Sequence, residues 1–373
     1  MNITVFANGN PRNPQTWSNV PYYAIKSLEK KGHVINCVNL DVGLEGLIKG
    51  FNFLSRKFLG KDTMFLFNLL PISNFLYNQR IRKALKMYPD TELMLFFTYN
   101  VSGNEVSKIP SVLFCDFTVE YNIHYIQKRD IRWYERGIIE NQDLIMKRAD
   151  RIVSLFPQAA DHYKKYYKRD DIRKIDGHII NCDWAISDYD NVIKNKYYNN
   201  EIVFIGRKAY RNGAKCLINV VKEYNRCNGN SVHLSVIGMT AKDLQYNCED
   251  NDQIEFFGVL DKSNSRQYNE FYHSIENAKL IVNTTKNWGG ISSVVEAMYL
   301  YTPVITTQYS EFLEIFGDTI DFGMYCKAED EHELLSKLTR FLLLPEEVFR
   351  KYAINAHNQV ERFTWDKNVE III

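Results

Sequence analysis

The sequence lacks the features that would assign it to a membrane-spanning, secreted or nucleic-acid-binding class. It contains no run of roughly 18 consecutive apolar residues, so we expect no helix that crosses a bilayer. Its start, Met-Asn-Ile-Thr-Val-Phe, is typical of a strand and lacks the basic and apolar segments of a signal peptide. The 46 Lys and Arg balance 45 Asp and Glu to a formal net charge of +1, so no overall positive field indicates nucleic acid.

Paired cysteines are also lacking. The seven cysteines are scattered along the chain, and no two of them form a C-x-x-C pair. An odd, scattered set of this kind favours reduced thiols in the cytoplasm over a disulfide framework. No His/Cys cluster has the spacing of metal ligands, and we therefore expect no metal site.

The elements that the sequence does predict indicate two α/β domains. The 373 residues, 45% of them hydrophobic, suit two domains of ordinary size. A strand at Ile3–Ala7, a helix at Val20–Lys31 and a strand at His33–Leu40 make a βαβ unit, which requires a parallel sheet. The same order of elements starts again at Glu201–Arg207. A polar stretch, Asp183–Asn200, is predicted to link the two halves, and Glu346–Val369 is predicted to be helical.

The segment from Asn283 to Thr307 is the most informative part of the chain. It predicts a buried strand, a Gly-containing turn, a helix with Glu296 near its start, and a second apolar strand after Thr-Pro. Backbone N–H groups at such a helix start can hold phosphate oxygens, and the carboxylate can accept hydrogen bonds from sugar hydroxyls. A nucleotide-diphosphate sugar presents both groups. Taken alone, Glu296 has a second interpretation, because the helix dipole stabilises a Glu in this position.

This segment resembles the donor-binding segment of retaining GT-B glycosyltransferases of family 4, the glycosyl transferases group 1. The usual form in that family is Glu-Gly-Phe-Gly-Leu-Pro-x-x-Glu-Ala-Met-x-x-Gly-x-Pro-Val. The resemblance implies that Glu296 binds the ribose hydroxyls of the donor. Trp288 stands where the family has its first Glu, at the donor sugar. The other donor-binding candidates of the segment are Gly289, Gly290 and Ile291, which replace Gly-Phe-Gly, and Ser292 and Ser293, whose hydroxyls could reach the phosphate.

A second donor element follows the strand at Glu201. Gly206, Arg207 and Gly213 match the family pattern Gly-Arg-x-x-x-x-Lys-Gly, in which Arg and Lys neutralise the diphosphate. Asn212 occupies the Lys position, so Arg211 or Lys215 is the candidate for the second cation. The alternative for Arg207 is a surface arginine without a ligand.

The first half supplies candidates for the acceptor side. Gly9 and Asn10 follow the first strand, where the family carries a Gly-containing loop, and Trp17 and Ser18 precede the next helix. An indole can stack on a sugar face, whereas Ser18 can instead cap the helix. Asp116 ends a predicted strand where the family often has His-Asp. It is the candidate for orienting the acceptor or taking its proton, and its alternative is to cap a turn.

The resemblance also implies a fold and a reaction. The fold is α/β GT-B, with two Rossmann-like doubly wound domains that face each other across a cleft. Residues 1–185 would bind the acceptor, residues 186–355 the nucleotide sugar, and residues 356–373 would form a helix that returns to the first domain. A sugar would move with retention to a glycan or lipid-linked acceptor, as in bacterial surface polysaccharide assembly. Positive side chains would hold the diphosphate without a metal or other cofactor.

Residues 47–83 mix large apolar side chains with lysine and arginine. Such a surface can lie on anionic lipid, at the cytoplasmic face of the inner membrane, or it can be a core helix with charged side chains that reach solvent. Two other functions stay open. The replacements at 212 and 288 are compatible with a silent homologue that assists another transferase. A nucleotide-sugar epimerase of the same shape is the second alternative.

Overall fold

The computed structural model describes residues 1–41, 43, 45–59, 71–175, 177–229, 232–247, 253–286 and 291–373. The chain forms two compact units. The first comprises Met1–Ile179 and Trp365–Ile373, and the second comprises Ile180–Thr364. The sequence placed these two boundaries at 185/186 and at 355/356.

The first unit is built on a sheet of six parallel strands in the order β2-β1-β3-β4-β5-β6. The strands are β1 (Asn2–Ala7), β2 (Val34–Asn39), β3 (Leu93–Phe96), β4 (Ser111–Cys115), β5 (Arg151–Ser154) and β6 (Arg173–Lys174). β1, β3 and β4 are almost continuously apolar and buried, as expected for strands covered on both faces by helices. The helices are α1 (Val20–Lys30), α2 (Glu45–Leu59), α3 (Pro71–Met87), α4 (Val119–Tyr121), α5 (Arg136–Arg148) and α6 (Pro157–Tyr167).

The second unit has its own sheet of six parallel strands, in the order β12-β11-β10-β7-β8-β9. The strands are β7 (Glu201–Ile205), β8 (His233–Ile237), β9 (Ile254–Gly258), β10 (Leu280–Asn283), β11 (Val304–Thr306) and β12 (Gly323–Tyr325). The helices of this unit and of the chain end are α7 (Tyr189–Tyr198), α8 (Arg211–Asn228), α9 (Ala241–Leu244), α10 (Ser265–Asn277), α11 (Ile291–Tyr299), α12 (Ser310–Phe316), α13 (Glu331–Leu342), α14 (Glu346–Val360) and α15 (Trp365–Asn368). The prediction of two Rossmann-like doubly wound domains is confirmed.

Two more properties concern the described residues of both units. None of the helices in the described ranges is both long and apolar enough to cross a membrane. The six cysteines within those ranges are all free thiols.

The predicted linker between the halves is wrong over part of its length. Within Asp183–Asn200 the structure has the helix α7, which begins at the N-cap Asp188 and buries Ile193 and Lys196. The ammonium of Lys196 donates to the carbonyl oxygens of Ile275 and Ala278, at 2.7 and 3.2 Å. It also donates to the Thr302 hydroxyl at 2.9 Å. A buried lysine thus holds α7 against the end of α10, and a pattern that counts lysine as polar cannot reveal this.

Burial lowers the pKa of Lys196 to about 7, from a usual value of 10.5. Between these two values the unfolded chain binds more protons, so the contribution of Lys196 to the free energy of unfolding rises with pH. We expect the stability lost in Lys196→Met to be about 2 kcal/mol larger at about pH 9 than at about pH 7. Denaturant unfolding at both pH values measures this, with Lys194→Met on the exposed face of α7 as the control. An equal loss at both values would show that Lys196 keeps its proton.

Candidate functional site

The strand order of the second sheet indicates where a ligand would bind. The neighbouring strands β7 and β10 form its switch point, because β8 and β9 follow on one side of this pair and β11 and β12 on the other. In doubly wound sheets the crevice beyond the carboxyl ends of such a strand pair is the usual ligand site. Gly206 and Arg207 follow β7, and Thr284 and Thr285 follow β10. Residues of both donor elements therefore lie at the switch point of this sheet.

Two glycines allow the loops around the switch point to approach closely. A Cβ atom on Gly213, in the first turn of α8, would lie 2.7 Å from the Thr285 hydroxyl and 3.1 Å from its backbone nitrogen. A Cβ atom on Gly238, after β8, would lie 2.5 Å from the Gly206 carbonyl oxygen, and its φ is +95°. Any side chain at these positions would push the loops apart.

A group of basic side chains surrounds the start of α8. A cavity of about 320 Å³ is lined by Lys208, Arg211, Asn212, Lys215, Lys242, Asp243 and Gln245. Arg207 is exposed and directly precedes this group. The side chains of Arg207, Arg211 and Lys215 form no hydrogen bond or ion pair with any residue of the described ranges. Three cations without a carboxylate partner are thus available to an anion.

Lys208 is engaged in a different way. Its ammonium lies 3.0 Å from Asp243 Oδ1, while Asp243 Oδ2 accepts from the N–H of Thr240, the N-cap of α9, as part of a capping box. The hydrogen bonds from Thr240 and from Lys208 lower the pKa of Asp243 to about 2. Lys208 therefore compensates a charge within the protein, in contrast to Arg207.

Asp188 and Asp190 form an Asp-x-Asp sequence that the sequence analysis did not identify. The Asp188 side chain accepts a hydrogen bond from the Asn191 backbone and caps α7. Asp190 forms an ion pair with Arg350 of α14. Both carboxylates therefore serve the packing of helices.

Glu296 lies in α11 and is buried, with 4% of its surface exposed. Its Oε2 atom lies 2.7 Å from the Lys262 ammonium and 3.4 Å from the Tyr272 hydroxyl. Lys262 belongs to the loop between β9 and α10, and sequence reasoning missed it. No spacing signal relates a loop lysine to a glutamate 34 residues away.

The remaining donor-binding candidates lie around the start of α11. Trp288, Gly289 and Gly290 fall outside the described residues. Ile291 is fully buried and begins α11, and Ser292 and Ser293 are half-buried in its first turn. The two serines thus lie one helical turn before Glu296.

The acceptor-side candidates of the first unit follow β1. Gly9 has a φ of +98° and donates its N–H to Asn39 Oδ1 at 3.0 Å, and Asn10 accepts from Arg12 N. Trp17 and Ser18 have φ values of 39° and 54°, in the left-handed region that costs free energy for residues other than glycine. The strain occurs in the loop that joins β1 to α1, which leaves the sheet at the switch point between β1 and β3.

The Trp17 ring fixes this loop to the neighbouring strands. Its centroid lies 6.1 Å from that of Phe97, after β3, and 5.8 Å from that of Phe114 in β4. Asp116 follows β4 at the same edge of the sheet. Its Oδ1 atom accepts from the Phe117 N–H at 2.8 Å and from the Cys115 thiol at 3.1 Å. One oxygen of Asp116 therefore stabilises the turn, as its alternative interpretation expected.

Comparison with known proteins gives a family for the second unit. Residues 188–359 match the family model described as Glycosyl transferases group 1. No curated protein sequence matches the chain.

Solved structures resemble most or all of the chain at low sequence identity. Sucrose-phosphate synthase from Thermosynechococcus elongatus is 14% identical, with a TM-score of 0.65 over 100% of this chain and 97% of that one. WaaG, a glycosyltransferase involved in lipopolysaccharide biosynthesis, is 13% identical, with a TM-score of 0.62 over 99% of both chains. An S. aureus TarM mutant in complex with fondaparinux, α-GlcNAc-glycerol and UDP is 14% identical, with a TM-score of 0.52 over 79% of this chain and 57% of that one. At these identities the likeness concerns the fold.

The family match covers the strands, glycines and basic side chains that build the switch point of the second sheet. The second unit is a domain of the group 1 glycosyltransferases, and the two Rossmann-like units of the chain are those of the GT-B fold.

Proposed function

We propose that the protein transfers a sugar from a nucleotide-diphosphate sugar to a glycan or lipid-linked acceptor, with retention at the sugar carbon. The observation that supports this proposal is the set of three uncompensated cations, Arg207, Arg211 and Lys215, at a ligand-binding switch point. Their positive charge is complementary to a diphosphate leaving group. Glu296, in the helix after the neighbouring strand, supplies a carboxylate for the ribose hydroxyls.

The replacement of the family lysine by Asn212 does not leave the diphosphate with a single cation. Asn212 lines the same cavity as Arg211 and Lys215. Two cations next to the changed position can take over the charge of the missing lysine, with Arg207 as the third. This arrangement favours an active transferase over a silent homologue.

The same cations lead us to propose that the diphosphate needs no metal ion. As the bond to the sugar breaks, negative charge grows on the leaving phosphate oxygens, and nearby cations stabilise that charge. The departing phosphate would also accept the proton of the acceptor hydroxyl on the same face of the sugar. Asp116 would orient that hydroxyl, because its Oδ2 atom accepts no hydrogen bond from a described residue.

Turnover of a panel of UDP-, GDP- and dTDP-sugars tests this function. Lipid extracts and oligosaccharides serve as acceptors, with excess EDTA present, and the nucleotide released is measured. We expect release of one nucleotide diphosphate, dependent on an acceptor and unaffected by EDTA, and a product with the donor's anomeric configuration. Conversion of a nucleotide sugar without any acceptor would favour the epimerase instead.

We further propose that the first unit contacts an anionic membrane, at the cytoplasmic face where a lipid-linked acceptor would be presented. Of residues 47–83, those at 60–70 lie outside the described part of the chain. In α2 the apolar side chains Phe51, Leu54 and Phe58 recur at helical spacing and are 39%, 52% and 74% exposed. Ser55, by contrast, is buried. Between residues 51 and 58 the helix thus presents an apolar stripe to solvent and a small polar residue to the protein.

Charge supports a lipid surface as the partner of this stripe. Residues 46–59 and 71–87 contain no Asp or Glu, although the whole chain has a net charge of only +1. Their basic residues are Lys49, Arg56, Lys57, Arg80, Arg82, Lys83 and Lys86. Local basic charge beside exposed aromatic side chains is typical of peripheral binding to anionic lipid.

The double variant Leu54→Ser/Phe58→Ser tests the membrane contact. We expect its partition onto vesicles of phosphatidylglycerol and phosphatidylcholine to fall about tenfold or more, because two large apolar side chains no longer enter the interface. Co-sedimentation measures the partition. The control is Val259→Ser/Leu343→Ser, whose apolar side chains are 79% and 73% exposed in the second unit. Equal binding of wild type to neutral and anionic vesicles would contradict the proposal.

A further inference from the structure

The Lys262 side chain is held in one place by the helix that follows it. Its ammonium lies 4.1 Å from the ring centroid of Phe271 and 4.9 Å from that of Tyr272, both in α10. The Tyr272 hydroxyl accepts a hydrogen bond from it at 3.0 Å and lies 3.1 Å from the carbonyl oxygen of Asn181. Two rings and a hydroxyl thus fix the position of the cation.

This cation makes the buried carboxylate of Glu296 tolerable. The side chains of Lys262 and Glu296 are 16% and 5% exposed, so both charges have lost most of their water. An unpaired carboxylate in such a place is strongly unfavourable, whereas a close ion pair with further hydrogen bonds compensates it. The ion pair with Lys262 therefore offsets the cost of placing Glu296 in the interior of the second unit.

The contacts are distributed unevenly over the two carboxylate oxygens. Both Lys262, at 2.7 Å, and Tyr272, at 3.4 Å, approach Oε2. The Oε1 atom accepts no hydrogen bond from the residues that the structure describes. An ionised carboxylate accepts hydrogen bonds on both oxygens, so the acceptor capacity of Oε1 is unused.

We propose that Lys262 is a positioning residue that holds Oε2 of Glu296 and thereby directs Oε1 toward the hydroxyls of the donor ribose. This inference rests on the proposed function, since it needs a nucleotide at the second unit. It adds a residue that the motif around Glu296 does not contain. It also gives Lys262 a role in specificity, because a fixed Oε1 distinguishes a ribose from a 2′-deoxyribose through one charge-assisted hydrogen bond.

The test compares affinities for UDP, GDP and ADP with those for their 2′-deoxy counterparts, measured by calorimetry on the full chain. Wild type should bind the ribonucleotide about tenfold to a hundredfold more tightly, the usual worth of a hydrogen bond to a charged group. In Lys262→Met the carboxylate is no longer oriented, and this ratio should fall below about threefold. Because the ratio compares two ligands of one protein, a general loss of folded protein does not change it.

Lys262→Arg keeps the positive charge. It shows whether Lys262 orients Glu296 even if the methionine variant does not fold. A guanidinium binds a carboxylate through two parallel hydrogen bonds, so it would occupy Oε1 as well as Oε2. We expect the ratio to fall in this variant too, with thermal stability close to wild type. A wild-type ratio in Lys262→Arg would mean that the lysine only neutralises charge, and it would overturn the inference.

Wild type that binds nucleotides without preferring ribose would overturn the inference as well, while leaving the proposed function standing. Wild type that binds none of the nucleotides would overturn both.

Discussion

Replacing Arg207 by alanine should lower kcat/KM for sugar transfer by about 30- to 1,000-fold. This corresponds to about 2–4 kcal/mol of transition-state stabilisation, the range found when one charge-stabilising group is removed from an active site. The reason is that the Arg207 guanidinium has no hydrogen-bond or ion-pair partner among the described residues, which leaves its whole charge for the diphosphate. Initial rates at several donor concentrations measure the change.

The control for Arg207 is Arg226→Ala at the other end of α8. Arg226 is exposed like Arg207, but it pairs with Glu223 on the same helix at 2.7 Å. We expect its removal to leave turnover unchanged, since exposed pairs of this kind contribute little. Wild-type turnover in Arg207→Ala, with the fold intact, would refute the role assigned to Arg207.

Replacing Glu296 by alanine should affect stability and activity together. The substitution leaves the Lys262 ammonium buried without its carboxylate, and breaking a buried ion pair in this way costs about 3–5 kcal/mol of unfolding free energy. Loss of the ribose contact should cost about 2–4 kcal/mol of transition-state stabilisation in addition. Thermal unfolding and kcat/KM, measured on the same preparation, give the two effects.

Two further variants separate these effects. Adding Lys262→Met to Glu296→Ala removes the uncompensated cation and should recover part of the stability without restoring activity. Glu311→Ala is the matched control, because Glu311 is a buried carboxylate in α12 that pairs with no cation in the described ranges. Equal destabilisation by Glu296→Ala and Glu311→Ala would show that the ion pair with Lys262 has no special weight.

The sequence predicts those features of the fold that depend on the pattern of apolar and polar residues within a short segment. Continuous apolar runs such as Ile3–Ala7, followed by a loop and an amphipathic helix, repeat in both halves, and parallel sheets follow from them. The helix α7 was missed for a physical reason. Its buried face combines Ile193 with Lys196, whose ammonium is satisfied by carbonyl groups from other elements.

The candidate site was predictable to the extent that it consists of motifs. Gly206, Arg207 and Gly213 are close in sequence, and the structure adds the reason for Gly213, which is the approach of Thr285. Lys262 could not be predicted, because its pairing with Glu296 depends on how α10 packs. The use of one Asp116 oxygen in a turn was foreseen only as an alternative, since the same residue at a strand end serves either purpose.

The central claim is that the switch point of the second unit binds a nucleotide diphosphate. Calorimetric titration of the full chain with UDP, GDP, dTDP and CMP, repeated with Arg207→Ala, tests it most directly. We expect micromolar affinity for one nucleotide diphosphate and a loss of about 30-fold or more in the variant. Absence of binding to all four nucleotides, or equal affinity of wild type and variant, would contradict it.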